Sequence, residues 1–137
     1  MGRINYGPMM RDEKGITQGV RIGNQFLFNW EIFSLPLDNI EKVEFKKGYL
    51  ESENAPTFYK GEFIVDEIGD TYLDFEGWGK GVVYINGFNL GRYWEVGPQK
   101  RLYVPSPILK KGVNEVVVFE LHRSRESMKL KNTAKLV

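Results

Sequence analysis

The dipeptide Asn86-Gly87, which separates two apolar stretches, restricts the fold more than any other feature of the chain. Both residues adopt positive φ angles at low cost, as a two-residue β-hairpin turn requires. The turn joins the apolar run 82–85 to the run 88–94, in which Gly91 is an interruption. The sequence therefore predicts two neighbouring antiparallel strands here, and Gly91 marks a bend in the second.

Further turns divide most of the chain into short strands. Gly23-Asn24 predicts a hairpin between strands at 20–22 and 25–28. Alternating or continuous apolar residues predict the other strands. These are expected near 59–68, 72–76, 102–104, 116–121 and 128–131.

In three of these segments, the residue pattern also indicates how exposed the strand is or where it lies in a sheet. Leu73 and Phe75 alternate with polar residues, which predicts a strand with one solvated face. The run 116–121 is apolar except for Glu120, as in a central buried strand. The segment 128–131 contains lysines and fits a protected edge strand. Seven or eight short strands with almost no helix predict an antiparallel β-sandwich of jelly-roll type.

Two short helical segments are also expected. Asp38 and Glu41 have the spacing of a capping box and predict a helix at 39–46, although residues 43–46 also alternate as a strand would. Ser106 as N-cap predicts one helical turn over Pro107–Lys111, which Gly112 would end.

Composition excludes several classes of function. The 19 Lys and Arg residues and 18 Asp and Glu residues give a net charge of +1, which argues against a nucleic-acid binder driven by bulk charge. No apolar run approaches the roughly 18 residues of a membrane span. There is no cysteine, which fits a reducing compartment such as the cytoplasm. A single histidine, His122, makes a Ser-His-Asp triad or a multi-histidine metal site improbable.

No motif identifies a catalytic centre, a metal site or a cofactor. The glycine-rich segment Gly77–Gly81 lacks the spacing of a phosphate-binding loop and leads into a strand, so it is interpreted as an inter-strand loop. The acidic residues Asp66, Glu67, Asp70 and Asp74 do not have EF-hand spacing. Nothing in the sequence marks a pair of carboxylates for glycoside hydrolysis, and most of them are expected to be solvated.

A carbohydrate site is the one binding chemistry that the residues suggest. Aromatic rings stack on the apolar face of a pyranose, and planar polar side chains bind its hydroxyls. Trp78, Asn86, Arg92 and Trp94 combine these groups and are the candidate carbohydrate-binding residues. The alternative, which the residues favour, is that the rings fill the sandwich core or dock on another domain.

The sequence is similar to the β-galactosidases of glycoside hydrolase family 35 over about residues 1–121. The segment Gly79–Trp94 carries the sharpest resemblance. It is supported by further family-like stretches: Gly2-Arg3-Ile4-Asn5-Tyr6-Gly7-Pro8, Lys14-Gly15-Ile16, Asn29-Trp30, Leu35-Pro36-Leu37, Gly97-Pro98-Gln99, Leu102-Tyr103-Val104-Pro105 and Leu109–Val116.

The resemblance implies an accessory role. In this family such segments belong to C-terminal β-domains with a galactose-binding-like jelly roll, whereas the catalytic glutamates lie in an N-terminal (β/α)₈ barrel. That barrel needs about 250 residues, so no catalytic residue can be assigned here, and Glu115 is not one. The chain is expected to begin partway through a longer protein. The partners implied are the barrel and a neighbouring β-domain; the alternative is a stand-alone module that binds galactosides.

The resemblance and the turns together suggest three parts of the chain. Residues 1–28 are expected to be N-terminal strands and a hairpin that resemble the end of the preceding β-domain. Residues 29–121 would form the jelly roll, and residues 122–137 a basic C-terminal segment or an edge strand.

Overall fold

The computed structural model describes residues 15–16, 18–34, 36–49 and 55–136. The family-like stretch Gly2–Pro8 lies outside the described residues. The chain divides into two compact units, residues 1–36 and 37–137.

The described part of the first unit contains a β-hairpin. Strand β1 (Val20–Ile22) pairs antiparallel with β2 (Gln25–Leu27). The predicted turn between them is confirmed, with Gly23 at φ +58°. Among the described residues of this unit, most of the large apolar side chains are exposed.

Two antiparallel sheets form the second unit. One has four strands in the order β3-β8-β5-β6, and the other has three in the order β7-β4-β9. Their bounds are β3 (Thr57–Val65), β4 (Thr71–Asp74), β5 (Lys80–Ile85), β6 (Phe88–Trp94), β7 (Arg101–Val104), β8 (Gly112–Glu120) and β9 (Lys129–Lys131). The predicted all-β antiparallel sandwich is confirmed, and β9 is an edge strand.

The main core lies between the two sheets. Leu73 and Val104 from the smaller sheet pack into the same buried cluster as Val83, Ile85 and Val118 from the larger one. The other face of the larger sheet is covered as well. There Val82, Tyr84 and Val117 pack against the residues Leu37, Ile40, Phe45 and Phe58. Burial on both faces explains why the run 82–85 is apolar throughout rather than alternating.

The Asn86-Gly87 hairpin forms as predicted. Asn86 has φ +50° and Gly87 has φ +81°, the combination that a type I′ turn needs. The bend at Gly91 is a β-bulge. Val83 pairs with Gly91 and Tyr84 with Asn89, so Leu90 is an extra residue on β6.

The predicted helices are much shorter in the structure. A 3₁₀ helix covers only Ile40–Lys42, and Val43 is already extended. Its N-cap is Asn39 rather than Asp38, without a side-chain cap, so the capping box at 39–46 is wrong. Along this partly extended path, both Ile40 and Phe45 pack against the larger sheet.

The second helical turn is shifted toward the N-terminus. A 3₁₀ helix covers Ser106–Ile108 with Pro105 as its N-cap. Gly112 does not end a helix; it begins β8 at φ +90°. The Asn114 side chain bridges residues Lys110 and Gly112, which holds this segment in a turn before the strand starts.

Two carboxylates contradict the expectation that acidic residues are solvated. Asp74 lies on the predicted wet face of β4 yet is only 7% exposed, because Arg101 on β7 pairs with it at 2.8 Å. Glu120, the polar exception in β8, is completely buried. A buried carboxylate is tolerated only where hydrogen bonds replace its hydration.

Five donors surround the Glu120 carboxylate. Oε1 accepts hydrogen bonds from the backbone N–H groups of Lys80, His122 and Arg123 at 3.0, 2.8 and 3.1 Å. Oε2 accepts from the Gly79 N–H at 3.1 Å and from the Tyr93 hydroxyl at 2.7 Å. Burial raises the pKa of Tyr93 and the hydrogen bond to Glu120 raises it further, so this hydroxyl remains a donor. The carboxylate thus ties β5, β6 and the chain after β8 together.

Glu120→Gln should destabilise the protein by about 2–4 kcal/mol, because the amide nitrogen would point a donor at groups that are themselves donors. The free energy of unfolding in urea measures the effect. Glu115→Gln is the matched control, since this half-exposed residue only pairs with Lys60 and should lose less than about 1 kcal/mol. Equal losses in both variants would contradict the role of Glu120.

Glycines allow the chain to approach this carboxylate closely. A Cβ on Gly79 would lie 2.9 Å from Glu120 Oε1. A Cβ on Gly81 would overlap the carbonyl oxygen of Phe119 and lie 2.6 Å from the Tyr93 hydroxyl oxygen. Gly81 belongs to β5, so the glycine-rich segment 77–81 is only in part a loop.

Gly81→Ala should therefore unfold the domain or lower its melting temperature strongly, because the backbone of β8 cannot move away without breaking the sheet. Gly69→Ala is the control: no atom lies within 4 Å of its Cβ position, and its φ is not in the left-handed region. Circular dichroism melts of the two variants compare them. A native-like melt of Gly81→Ala would show that the close approach is not a constraint.

Candidate functional site

A cleft of about 250 Å³ opens at the end of the sandwich where β5 begins and β6 ends. Its walls come from the β4–β5 loop, the β6–β7 loop and the chain that follows β8. The lining residues are Asp74, Phe75, Glu76, Gly77, Trp78, Tyr93, Trp94, Glu95, Gln99, Lys100, Arg123 and Lys135. Its volume is below the range of about 300–1,000 Å³ that is usual for small-molecule sites.

Three packed rings form the floor of the cleft. Phe75 and Tyr93 stack with centroids 3.9 Å apart and an interplanar angle of 7°. Trp78 stands edge-on to both, at 85° and 88°. Its indole N–H donates to the Ser127 carbonyl oxygen at 3.2 Å. These rings are almost fully buried, so they support the site rather than offer a free stacking face.

Backbone hydrogen bonds hold the walls together. The Gly79 N–H donates to the Arg123 carbonyl at 2.9 Å, and the Glu95 N–H donates to the Gly79 carbonyl at 2.7 Å. The Lys100 N–H donates to the Lys135 carbonyl at 3.0 Å. The three walls are therefore joined through main chain, which fixes the position of the side chains that they carry.

Charged side chains form the rim. Arg123 Nη2 lies 2.8 Å from Glu95 Oε2, and its Nε donates to the Gly77 carbonyl at 3.2 Å. The Lys100 ammonium donates to the Glu95 carbonyl. Guanidinium, carboxylate and amide groups are suited to binding sugar hydroxyls, because each offers two donors or acceptors in one plane.

The four sequence-predicted carbohydrate residues separate in the structure. Trp78 and Trp94 both line the cleft. Asn86 lies at the opposite end of β5, where its Nδ2 donates to Ile108 O and Asn114 Oδ1, both at 2.8 Å. Its Oδ1 accepts from the Glu115 N–H at 3.0 Å. The side-chain hydrogen bonds of Asn86 thus hold the hairpin against β8 and the turn before it.

Trp94 is partly exposed and lies under two cations. The Lys80 ammonium is 4.5 Å from the ring centroid, and the Arg92 guanidinium carbon is 5.3 Å from it. Arg92 therefore lies beside Trp94, as the sequence spacing suggested, but it interacts with the ring itself. Cation–π contacts of this kind contribute about 0.5–1 kcal/mol at exposed sites.

The polar residues of the rim were not predicted from the sequence. Glu95, Gln99, Lys100 and Arg123 lie in irregular segments without periodicity, and Arg123 joins the others only through tertiary contacts. The one available signal was the family-like stretch Gly97-Pro98-Gln99.

Among the described residues, no group of three or more His, Cys, Asp and Glu side chains is arranged to hold a metal ion. Asp70, from the predicted acidic stretch, instead accepts hydrogen bonds from Tyr103 and Ser106. No helix within the described ranges is long and apolar enough to cross a membrane.

Family models match two parts of the chain. Residues 56–114 match the galactose-binding domain of β-galactosidase, and residues 1–36 match its first all-beta domain. The galactose-binding model covers strands β3 to β7 and the first residues of β8. The other model covers the unit that contains the β1–β2 hairpin.

Curated relatives give the same result. Beta-galactosidase 17 of Arabidopsis thaliana is 45% identical over 88% of this chain, and beta-galactosidase 1 of Dictyostelium discoideum is 44% identical over 87%. Beta-galactosidase of Bos taurus is 41% identical over 90%. The chain spans only about a fifth of the length of these relatives. The resemblance indicated by the sequence motifs is thereby confirmed.

Proposed function

Since the chain carries the C-terminal galactose-binding-like β-domain of a family 35 β-galactosidase, we propose that it is a non-catalytic accessory part of such an enzyme. Terminal β-galactosides are hydrolysed in this scheme by a separate catalytic barrel, against which the chain packs. The second partner is the remainder of the neighbouring β-domain.

The exposed apolar side chains of the first unit carry the proposal. Phe28, Ile32 and Phe33 are 79%, 87% and 80% exposed, and Trp30 is 58% exposed. Soluble proteins rarely leave so many large apolar groups uncovered in one segment unless another surface covers them. A match of 36 residues to the first all-beta domain fits a unit whose covering layers come from elsewhere in the enzyme.

The buried carboxylates have structural roles, which supports the absence of catalysis. A glycosidase needs an acid and a second carboxylate that face the substrate. Asp74 is occupied by Arg101 and by the Glu76 N–H, and Glu120 is occupied by its five donors. The half-exposed Glu95 at the cleft is paired with Arg123. Each of these carboxylates is therefore engaged by partners within the chain.

A chimera tests the accessory role. Arabidopsis thaliana beta-galactosidase 17, with its matched region replaced by this chain, should remain soluble and hydrolyse a chromogenic β-galactoside. Phe28→Ser together with Ile32→Ser should lower the melting temperature of the chimera, because each buried apolar side chain contributes about 1.5–3 kcal/mol. Glu31→Ser, in the same segment, is the control.

The chain alone should hydrolyse none of this substrate. Turnover by the chain alone would contradict the non-catalytic assignment. A chimera whose stability is unchanged by the Phe28 and Ile32 substitutions would contradict docking through the first unit.

The cleft supports a second candidate function, the binding of galactosides by the domain itself. Its rim of planar polar groups beside Trp94 is the specific observation in favour. In this role Arg123, Glu95 and Gln99 bind hydroxyls, and the exposed part of Trp94 contacts the apolar face of the sugar.

An NMR titration of the labelled chain with lactose tests this candidate. Saturable shifts should centre on residues 95–100 and Arg123, and Arg123→Gln should weaken binding by roughly tenfold, as expected for the loss of one or two charge-assisted hydrogen bonds. Lys110→Gln is the control, because Lys110 does not line the cleft. No shift at any lactose concentration, with a dispersed spectrum, would exclude binding in the cleft.

A further inference from the structure

The outer face of the three-stranded sheet combines aromatic rings with basic side chains in two cross-strand rows. One row runs from Tyr103 on β7 through Tyr72 on β4 to Lys131 on β9. The other runs from Arg101 through Asp74 to Lys129. We call these six residues the tyrosine–lysine face. They alternate along their strands with residues such as Leu73 and Leu102, which point into the core.

The two rings lie side by side, and the Tyr103 ring is anchored through its hydroxyl. Their centroids are 5.6 Å apart with an interplanar angle of 57°, and Tyr103 is 47% exposed. The Tyr103 hydroxyl donates to Asp70 Oδ2 at 2.5 Å, and the Ser106 N–H donates to Asp70 Oδ1 at 2.8 Å. The Tyr103 hydroxyl, followed by Ser106, lowers the pKa of Asp70, so this acceptor stays ionised at neutral pH. The ring is therefore positioned before any ligand arrives.

The charges on the face do not cancel. Arg101 is occupied, because its Nε pairs with Asp74 at 2.8 Å and its Nη1 donates to the Thr133 carbonyl at 2.8 Å. Within the part of the chain that the structure describes, neither Lys129 nor Lys131 has an ion-pair partner. Two lysines without an ion-pair partner thus lie on this face, Lys131 opposite Tyr72 and Lys129 opposite Asp74.

We propose that the tyrosine–lysine face is a binding site for a carboxylate-bearing glycan chain, with Tyr72 and Tyr103 against the sugar rings and Lys129 and Lys131 on uronate carboxylates. Rings that are fixed and partly exposed lose little entropy when they stack on a pyranose. Lysines are suited to carboxylates that lie along an extended chain, because each ammonium is a compact, rotatable donor.

Protection of an edge strand accounts for only part of this arrangement. Lysines on β9 would discourage sheet-to-sheet association. That role would be satisfied without two adjacent tyrosines, one of which has its hydroxyl anchored by a carboxylate. The site is separate from the cleft and does not depend on the proposed accessory role, since all of its residues belong to the second unit.

Oligogalacturonate is the probe for the experiment, and its fully methyl-esterified form is the control with the same backbone but no charge. The ¹⁵N-labelled chain is titrated with each. Oligogalacturonate should produce saturable shifts on β4, β7 and β9 and leave residues 95–100 unchanged. The esterified oligomer should bind at least about tenfold more weakly, because two charge-assisted contacts are lost.

Matched variants separate the face from general surface charge. Lys129→Gln with Lys131→Gln should weaken oligogalacturonate binding by about tenfold, whereas Lys110→Gln with Lys111→Gln removes the same charge elsewhere and should leave it unchanged. Tyr72→Ser should also weaken binding, with thermal melts confirming that the variants are folded. Tyr103→Phe keeps the ring and tests whether the anchor to Asp70 is needed for full affinity.

Polyglutamate is the third probe. Equal affinity for polyglutamate and oligogalacturonate, insensitive to Tyr72→Ser, would overturn the proposal in favour of an acidic protein partner. Absence of shifts on these strands with oligogalacturonate would overturn it outright. If lactose did not bind in the cleft, the proposal for the tyrosine–lysine face would be unaffected. The two binding proposals can therefore fail separately.

Discussion

The fold of the second unit depends on a buried carboxylate. Glu120 is the last residue of β8, a central strand of the larger sheet. Its carboxylate accepts five hydrogen bonds, from the chain at the start of β5, from β6 and from the chain that turns away after β8. A carboxylate in the interior is stable only when its hydration is fully replaced, so the surrounding backbone has one acceptable arrangement. Gly79 and Gly81 are needed for the same reason, because a side chain at either position would occupy the space of the network.

The same network places the cleft. Gly79 bonds to Glu120 through its N–H and to Glu95 through its carbonyl, so the loops on either side of the cleft share one anchor. Arg123 also donates its N–H to Glu120 and carries the guanidinium of the rim. Because the loops beside the cleft start at a rigid core, their polar groups are already held in position. Binding of a ligand there would therefore cost little conformational entropy.

The two units place their apolar groups differently. The second unit buries both faces of its larger sheet, one in the core and one under the segment that includes Leu37 and Phe45. Among the described residues of the first unit, which include a two-stranded hairpin, Phe28 and Phe33 remain largely exposed. This contrast fits the proposed accessory role, in which another surface of the enzyme covers the first unit. The cleft and the tyrosine–lysine face of the second unit are the two surfaces proposed here to bind ligands.

The sequence by itself determined the strands, the Asn86-Gly87 hairpin, the bend at Gly91 and the family, because turn geometry and alternation are local properties of neighbouring residues. The sequence did not determine the role of Glu120 or Asp74. An acidic residue in a strand has the same sequence pattern whether its carboxylate is hydrated or is paired with a side chain such as Arg101. The sequence also did not show that the predicted carbohydrate residues lie in different places. Trp78 is buried in the floor of the cleft, and Asn86 belongs to the hydrogen-bond network of the β5–β6 hairpin. Only the tertiary structure decided which side chains meet, because the cleft and the tyrosine–lysine face join residues that the chain keeps far apart.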